Sequence, residues 1–544
     1  MDVAGGVSMG ISGEEGSLDP FLGRNVAWLL RQRAEEHPDR ECLVWNDLDG
    51  LVQRWSYRQL NDRVEAVAGG LLGRGFGPGD RLCIHMENSP DFVFAWLAAL
   101  SFGAVAVTTN TRSSVDELAY FLDKSQAAAV ITDRERLGVV TEALATSPGV
   151  RLLALSSDDL IGVPDHLQAI TIAELASGPA PIGLPLPVSS DPAGVQFTSG
   201  TTARPKGVVW TQANYLWGAK VSAAHQQMSC EDRTLTYLPL FHTNAQIYCV
   251  MASLWAGGAI ILIPRFSRQA FWEVATKERA TFASMIPFAI RALLSDPVPE
   301  HNFRVWGNGL LVPKWDAYFG VTTLSWWGMT ETVTHPVLSE LGLPGHRYGM
   351  GVPAPEYQVR IIGDDGRPLN GPGEGLIEVL GVRGVSVALG YLDDPEADAA
   401  TWAKDGWLRT GDRVKRHDDG WLSFVEREKD MMRVGAENVA ALEIEEVVGR
   451  VAGVAEVAVV AGPDPMLDEV PVAFVVAASG AGEDLALQIL ARCRERLAGF
   501  KVPREVFVVD ELPRSTLEKV AKNKLRDRAR ELLELGQTKV DAPS

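Results

Sequence analysis

The sequence predicts an α/β protein with a large N-terminal domain, whose mostly parallel sheets are sandwiched by helices, and a small α+β C-terminal domain. Two observations lead to this prediction. From about residue 25 to 425, helical stretches alternate with short β-rich runs, a pattern typical of βαβ units. Past about Asp430 the order changes to helix, two strands, helix and strand. A chain of 544 residues is long enough for several structural units.

The elements of the large domain follow from local patterns. The helical stretch "QLNDRVEAVAGGLLGRG" ends in glycine, and the β-rich runs include "RLCIHM", "AVAVTTN", "AAAVITD" and "GAIILIP". The longest apolar run, from Phe92 to Val107, is shorter than the about 20 residues that span a bilayer. We interpret it as a buried helix followed by a buried strand and expect no membrane span. A Pro/Gly/Ser-rich stretch, "SGPAPIGLPLPVSSDPAG", separates the units on either side of it.

The small domain has its own pattern. "EIEEVVGRVAGV" and "LALQILARCRERLAGF" are predicted helices, and "EVAVVA", "VPVAFVVA" and "REVFVV" are predicted strands. We place the large domain at residues 21–429 and the small domain at 430–544. Residues 1–20 are rich in Gly and Ser and lack the basic and apolar regions of a secretion signal, so we predict a disordered leader.

Composition excludes several classes of function. The formal net charge of −19 argues against a nucleic-acid partner, because binding to phosphates depends on basic residues. The five cysteines are scattered and form no CxxC pair, which argues against disulfides and a thiolate zinc site and indicates a reduced, cytoplasmic compartment.

The strongest motif is "QFTSGTTARPKGVVW", which follows a predicted strand. Hydroxyl groups, glycine and a lysine are the parts from which phosphate-binding loops are built. The motif differs from a Walker loop because its lysine precedes the glycine and no Ser or Thr follows the lysine. An ordinary polar loop is the alternative. The candidate phosphate-binding residues are Thr198, Ser199, Gly200, Thr201, Thr202 and Lys206.

Three further stretches supply candidate site residues. His242 follows a strand-like run in "YLPLFHTNAQ", although a lone histidine is more often a core residue. In "WWGMTET", an aromatic ring offers a stacking surface and a carboxylate suits a hard cation shared with phosphates. Asp412 and Arg427 provide a carboxylate acceptor and a multi-donor guanidinium, which suit sugar hydroxyls.

Together these stretches resemble the adenylate-forming superfamily of acyl-CoA synthetases, adenylation domains and luciferases, and in particular its bacterial acyl-CoA ligases. The resemblance runs from about residue 25 to 530 in the expected order. It implies that the phosphate loop holds ATP and that His242 lies beside the acyl carboxylate. It also implies nucleotide-binding roles for Asn308, Gly309, Trp327, Gly328, Met329, Thr330, Asp412 and Arg427.

The resemblance assigns these roles individually. Asn308 and Gly309 wrap the adenine and Trp327 stacks on it. Thr330 contacts the α-phosphate and Glu331 binds Mg²⁺, while Asp412 and Arg427 hold the ribose. In this family the small domain turns about a hinge, which falls at Asp430, and the loop around Gly435 then lines the tunnel for the thiol arm of CoA. The implied cofactors are ATP or acyl-AMP, Mg²⁺ and CoA.

The stretch "LPRSTLEKVAKNKLR" matches the last motif of the family without gaps from Pro513 to Arg526. Lys519 takes the place of the lysine that bridges the substrate carboxylate and the α-phosphate during adenylation, an electrostatic and positioning role. From the residues alone, Lys519 would be assigned to the solvated face of an amphipathic helix over 519–533. The chain departs from the family at Glu518 and Ala203, where glycine is usual.

These motifs predict an acyl-CoA ligase that activates a carboxylic acid as acyl-AMP and transfers the acyl group to CoA. Three alternatives stay open: an enzyme restricted to thioesterification of a preformed adenylate, a carrier-loading or luciferase-like enzyme, and an AMP-binding protein without activity. Trp306, Trp326, Trp327 and Met329 near the predicted acid pocket favour a hydrophobic acid. The expected partners are a small carboxylic acid or its adenylate and CoA, and a homodimer is one option for the oligomeric state.

Overall fold

The computed structural model describes residues 19–165, 167–178, 183–198, 205–294, 296–341, 345–346, 349–427, 431–435, 437–478, 480–482, 484–513, 520 and 522–540. The side chains of residues 426, 427, 523 and 534–540 are also outside this description. The predicted leader is outside it too, apart from residues 19 and 20.

The helices occupy these residues in chain order: α1 Val26–Glu36, α2 Tyr57–Leu72, α3 Pro90–Phe102, α4 Val115–Ser125, α5 Leu137–Leu144, α6 Ile172–Leu175, α7 Gln212–His225, α8 Ala252–Ala256, α9 Arg268–Lys277, α10 Pro287–Leu293, α11 Pro313–Phe319, α12 Pro395–Thr401, α13 Ala441–Gly449, α14 Leu485–Arg496 and α15 Lys522–Val540. A π-helix covers Asn244–Met251, and 3₁₀ turns cover Thr330–Thr332 and Gly499–Lys501.

The strands are β1 Glu41–Asn46, β2 Val52–Ser56, β3 Arg81–His85, β4 Val105–Thr108, β5 Ala129–Asp133, β6 Leu152–Ser156, β7 Ala169–Thr171, β8 Pro192–Thr198, β9 Lys206–Thr211, β10 Arg233–Thr236, β11 Ala259–Leu262, β12 Phe282–Ser284, β13 Val305–Asn308, β14 Thr322–Trp327, β15 Val337–Leu338, β16 Gly349–Pro353, β17 Gln358–Ile362, β18 Gly373–Leu380, β19 Gly390–Tyr391, β20 Trp407–Arg416, β21 Leu422–Arg427, β22 Met431–Val434, β23 Glu437–Ala440, β24 Val454–Asp464, β25 Asp468–Ala477 and β26 Glu505–Val509.

The large domain contains two sheets. The first has the order β17-β18-β20-β21-β16-β15-β14-β13-β12-β10-β11-β1-β2, and the second β19-β9-β8-β4-β3-β5-β6-β7. Parallel pairing runs from β14 to β1 in the first sheet and from β8 to β7 in the second. The predicted α/β class is therefore confirmed, but both sheets are mixed: the first is antiparallel from β17 to β14 and at β1–β2, and the second is antiparallel from β19 to β8.

One end of the first sheet is antiparallel, which the alternation of helices and strands did not predict. Strands β17, β18, β20, β21 and β16 pair antiparallel. Short turns join several of them, as at "HDDG" between β20 and β21, where Gly420 has a φ of +88°. A tight turn connects antiparallel neighbours, because a parallel pair needs a longer crossover.

The long apolar run forms the buried helix α3 and the buried strand β4, as predicted. Ser89 caps α3 by accepting a hydrogen bond from the Phe92 amide at 3.1 Å, and Pro90 occupies the first turn. Every residue from Phe92 to Phe102 is buried. The helix ends at Gly103, whose φ of +85° lies in the left-handed region that favours glycine. Among the described residues no helix has both the length and the apolar character needed to cross a membrane.

The small domain forms its own core around the sheet of β22 to β26. The hairpin β24–β25 lies next to β26, which pairs parallel with β25. Apolar residues of α13 and α14 pack in one cluster with this sheet. Leu525 and Ala529 of α15 are buried in a second cluster, with Leu512, which agrees with an amphipathic last helix. The predicted strands and helices of this domain are present, and β22–β23 is an additional hairpin.

His85 on β3 is expected to make the stability of the large domain depend on pH. The ring is fully buried, its Nδ1 lies 2.9 Å from the Thr109 hydroxyl, and burial, helped by the charge of Arg136, lowers the pKa to about 3. Because the folded pKa is below that of an unfolded histidine, the stabilisation is present above about pH 6.5 and is lost as the pH falls toward 3. Between pH 7 and pH 5 we expect a loss of about 2 kcal/mol from this group.

Thermal unfolding of the wild type and of His85→Gln at pH 7 and pH 5 measures this contribution. Glutamine does not titrate, so the variant should lose less stability between the two pH values. Equal losses in both proteins would show that His85 does not carry the effect.

Candidate active site

Strands β8 and β9 flank the predicted phosphate loop. Thr198 and Lys206 are paired across these strands, and the Thr198 hydroxyl lies 3.5 Å from the Lys206 carbonyl oxygen. The Lys206 ammonium lies 5.0 Å from the ring centroid of Tyr391, a cation–π distance. The other predicted members of the loop, Ser199, Gly200, Thr201 and Thr202, are outside the described residues.

The "GMTE" segment follows directly from the end of β14. A Cβ atom on Gly328 would lie 2.4 Å from the carbonyl oxygen of Thr334, so the backbone leaves no room for a side chain there. The amide of Met329 donates to the Thr332 hydroxyl at 2.9 Å, and the Trp210 indole donates to the Thr330 carbonyl at 2.9 Å. These contacts fix the turn that carries Thr330 and Glu331.

Glu331 is a buried carboxylate, with 5% of its surface exposed. The Tyr391 hydroxyl donates to its Oε1 at 2.7 Å. Burial, together with the charge of Glu331, raises the pKa of Tyr391, so this hydroxyl stays protonated and acts as a donor. Tyr391 could not be predicted from the sequence, because "LGYLDD" carries no motif of its own.

Thr243 joins two of the predicted segments. Its hydroxyl lies 2.8 Å from the Gln196 side-chain oxygen, near the end of β8, and 3.3 Å from the hydroxyl of Thr330. The approach to the phosphate loop and the "GMTE" turn are therefore in contact through one side chain. Thr243 was not singled out from the sequence, although it is adjacent to the predicted His242.

Trp327 and Asp412 form a buried pair. The indole Nε1 donates to Asp412 Oδ2 at 2.9 Å, and the Asp412 amide donates to the Thr410 hydroxyl at 3.1 Å. Trp327 is 7% exposed and Asp412 is 3% exposed. Asp412 is opposite Arg427 in the pairing of β20 and β21, which places these two predicted residues side by side along the backbone. The side chain of Arg427 is outside the described residues.

Asn308 and Gly309 lie at the carboxyl end of β13, beside β14. Asn308 is buried; its side-chain nitrogen donates to the Leu310 carbonyl at 3.1 Å, and its oxygen accepts from the Gly309 amide at 2.8 Å. Strands β13 and β14 are parallel neighbours, so Asn308 and Trp327 end at the same edge of the sheet. This edge is where open α/β sheets bind ligands.

His242 meets the small domain. Its Nε2 lies 3.2 Å from Glu437 Oε2 on β23, an ion-pair distance without hydrogen-bond geometry. Glu437 is buried, and burial alone would raise its pKa, but His242, Arg112 and a hydrogen bond from Asn110 together hold that pKa below its usual value. A carboxylate of the small domain thus meets His242 of the large domain, the residue next to Thr243 in the chain.

Gly435 turns the chain from β22 toward β23. Its φ is +64°, and its amide donates to the Leu467 carbonyl at 2.7 Å. A left-handed backbone favours glycine at this position, independently of any ligand. Two other predicted residues of the small domain, Asp430 and Lys519, lie outside the described residues, as does Glu518.

Comparisons with known proteins match the chain to one family. The profile of AMP-binding enzymes matches residues 30–392, and the profile of the AMP-binding enzyme C-terminal domain matches residues 443–519. The chain belongs to the AMP-binding enzyme family. Crotonobetaine/carnitine–CoA ligase of Salmonella paratyphi A is 31% identical over 526 residues, which cover 94% of this chain and all of that protein. The resemblance to bacterial acyl-CoA ligases is thereby confirmed, and so is the prediction of a ligase-type enzyme.

Two solved structures of family members share the fold. The o-succinylbenzoate CoA synthetase of Bacillus subtilis, solved with a product analogue, has a TM-score of 0.78 and 26% identity, and the match covers 92% of this chain and 98% of that one. The fatty acyl CoA synthetase of Mycobacterium tuberculosis has a TM-score of 0.67 and 28% identity, with coverage of 94% and 99%. Both confirm the large N-terminal and small C-terminal domains.

Proposed function

We propose that this AMP-binding enzyme is an acyl-CoA ligase that uses ATP to activate a small carboxylic acid as acyl-AMP and then transfers the acyl group to CoA. The observation that carries the proposal is the contact of the small domain at His242, beside Thr243 and Thr330. A second domain that reaches the predicted acyl and phosphate site is what a two-step ligase needs. The AMP-binding and CoA ligase relatives support the same reaction class.

In the first step, a carboxylate oxygen of the acid attacks the α-phosphorus of ATP and pyrophosphate leaves. Thr330, fixed by its turn and in contact with Thr243, is placed to donate to an α-phosphate oxygen. Lys519 supplies positive charge between the carboxylate and that phosphate. In the second step, the deprotonated sulfur of CoA attacks the acyl carbonyl carbon and AMP leaves.

The residues present suit Mg²⁺ bound through the nucleotide. Among the described residues, no group of three or more His, Cys, Asp or Glu side chains is arranged to hold a metal ion. Mg²⁺ in nucleotide enzymes usually takes one or two carboxylates and completes its shell with phosphates and water. Glu331, oriented by Tyr391, is the carboxylate that would hold it, and the ion when bound neutralises charge on the phosphates.

We propose a hinge at Asp430 between domains 21–429 and 430–544. In the orientation present here, the hairpin around Gly435 and Glu437 reaches His242. In the family, that loop lines the path of the CoA thiol, so we assign this orientation to the second step. Rotation of the small domain about the hinge would bring Lys519 to the site for the first step.

A hydrophobic acid remains our proposal for the substrate, but fewer of the aromatic residues named from the sequence support it. Trp306 packs among Trp272, Phe303 and Phe319 in an aromatic cluster of the core. Trp326 lies against Gly307, where a Cβ atom would meet the indole at 1.7 Å. The aromatic character of the predicted acid pocket therefore rests on Trp326 and its neighbours, without Trp306.

A second candidate function is thioesterification of an adenylate made elsewhere. Glu518 supports it, because a carboxylate beside Lys519 opposes binding of a triphosphate. The test is a panel of acids, and separately their adenylates, offered with and without CoA, with AMP, pyrophosphate and thioester followed by mass spectrometry. Pyrophosphate release from an acid supports the full ligase, whereas thioester from adenylates alone supports the second candidate. Neither product from any substrate would contradict both.

Trp327 offers a direct test of the nucleotide site. If its ring stacks on adenine, Trp327→Ala should raise the Kd for AMP about tenfold to a hundredfold, in line with base–aromatic stacking energies. Trp327→Phe retains an aromatic face but loses the donor to Asp412, so its effect should be smaller. Calorimetric titration with AMP measures both. An unchanged Kd in the alanine variant would place the adenine elsewhere.

A further inference from the structure

A buried cluster of three charged side chains lies where the small domain meets the large domain. The ammonium of Lys501, which is 6% exposed, contacts Glu117 and lies 2.7 Å from Glu443 Oε1. Both carboxylate residues are 8% exposed. Glu117 belongs to α4 of the large domain, whereas Glu443 belongs to α13 of the same small domain as Lys501. One ion pair therefore joins the domains and the other stays within one of them.

Burial of such a cluster is costly. A buried ion pair is often no more stabilising than apolar residues of the same size, so its value lies more in fixing one arrangement than in adding stability. Burial raises the pKa of Glu443, even though Lys501 attracts its charged form. The two carboxylates outweigh the burial of Lys501 and raise its pKa, so the ammonium stays charged at neutral pH.

Further contacts surround the cluster at the same junction. The Ser114 hydroxyl donates to the Arg496 carbonyl at 3.0 Å, and the Arg496 guanidinium pairs with Asp116. The carboxyl end of α14 thus faces the amino end of α4, where the partial charges of the two helices attract. The contacts named here at the junction are all between polar or charged groups.

The junction is continuous with the contact at the active site. Asn110 and Arg112, just before α4, face Glu437, which in turn meets His242. The short segment 110–117 of the large domain therefore receives the small domain at two places: Glu437 beside the active site and Lys501 at the start of α4.

Each half of the ion pair has a second partner within its own domain. Glu117 Oε2 accepts from the Ser114 amide at 2.7 Å, and the Glu117 amide donates to the Ser114 hydroxyl, which forms the capping box of α4. Lys501 has its other ion pair with Glu443 of the same domain. When the domains separate, neither group is left without a partner, so this contact can break and re-form.

We propose that Glu117 and Lys501 form an interdomain latch that holds the small domain in the orientation in which Glu437 meets His242. This inference rests on the proposed two-step function. The two residues are then positioning residues for thioester formation, because they select the domain orientation and touch neither acid nor nucleotide.

Glu117→Gln tests the latch. Glutamine has the same shape and also forms capping boxes, so α4 keeps its cap while the charge facing Lys501 is removed. We expect thioester formation from supplied acyl-AMP and CoA to fall about tenfold, a usual size for coupling between sites, while pyrophosphate release from acid and MgATP stays within about twofold. Glu443→Gln is the matched control, because it removes one negative charge from the contact within the small domain. It should change the ratio of thioester formation to pyrophosphate release less than Glu117→Gln does.

A second measurement does not depend on catalysis. Spin labels at Ile161→Cys and Leu487→Cys, both on exposed positions of different domains, report the distance between the domains; the partly exposed Cys230 is first replaced by serine. The latch predicts that Glu117→Gln broadens this distance distribution and that Glu443→Gln does so less. If Glu117→Gln does not fold, Lys501→Gln serves in its place.

The outcomes separate the two proposals. An unchanged distance distribution, or an equal fall in both half-reactions, would overturn the latch. Absence of both half-reactions in the wild type would contradict the proposed function, while the distance measurement would still decide whether Glu117 and Lys501 hold the domains together.

Discussion

Replacing Glu518 by glycine is expected to raise acid-dependent pyrophosphate release by up to about a thousandfold. A carboxylate about 4 Å from a phosphate charge costs roughly 4 kcal/mol at the dielectric of a protein surface, and about 1 kcal/mol in water. If this whole electrostatic cost raises the barrier of adenylation, removing the carboxylate increases the rate about a thousandfold. Glycine also restores the backbone freedom that the family uses at this position.

The second half-reaction is the control for this variant. Thioester formation from a supplied acyl-AMP should be nearly unchanged in Glu518→Gly, because the proposed two-step reaction uses Lys519 in the first step alone. The two rates are measured separately, as released pyrophosphate and as thioester. No gain in pyrophosphate release would show that Glu518 does not limit adenylation, and the chain would then be an ordinary two-step ligase in this respect.

Lys519→Ala should have the opposite effect and lower adenylation about a hundredfold to a thousandfold. This is the usual loss when one preorganised electrostatic group is removed from a transition state. Thioester formation from supplied acyl-AMP should remain close to the wild-type rate. Single-turnover assays of each half-reaction measure the two effects independently of product release.

Lys522 provides a matched control for Lys519. It lies three residues further along the same basic stretch, and its ammonium is 2.7 Å from Glu445 within the small domain. Lys522→Ala removes the same kind of side chain, so a general effect of losing one positive charge would show in both variants. Equal falls in adenylation for the two variants would contradict a specific role for Lys519.

The sequence predicted the parts of the fold that depend on local patterns. The apolar run over Phe92–Val107 forms a buried helix and strand because exposing so many apolar side chains to water would cost a large free energy. The order of helices and strands in the small domain was likewise predicted from the local pattern of its apolar residues. The antiparallel end of the first sheet was not predicted, although β18 and β20 are longer than the parallel strands of that sheet, because the alternation of helices and strands was extended over all of residues 25–425.

The roles of the site residues were inferred from residue types within single motifs, and they stay predictions. Thr330, Glu331 and Trp327 are neighbours in one segment, so their proximity needs no knowledge of the fold. The contact of Trp327 with Asp412 and that of Glu331 with Tyr391 link residues far apart in the chain. No motif indicated that these particular side chains would meet.

The sequence by itself determined the enzyme class, because its contiguous motifs resemble those of the adenylate-forming superfamily, and its hydrophobic periods indicated a large and a small domain. Only the tertiary structure decided how the two domains meet. Glu117 and Lys501 are separated by 384 positions, and Glu437 reaches His242 from the other domain. Such contacts depend on how whole domains pack, and the free energy of that packing is spread over many residues that no single motif contains.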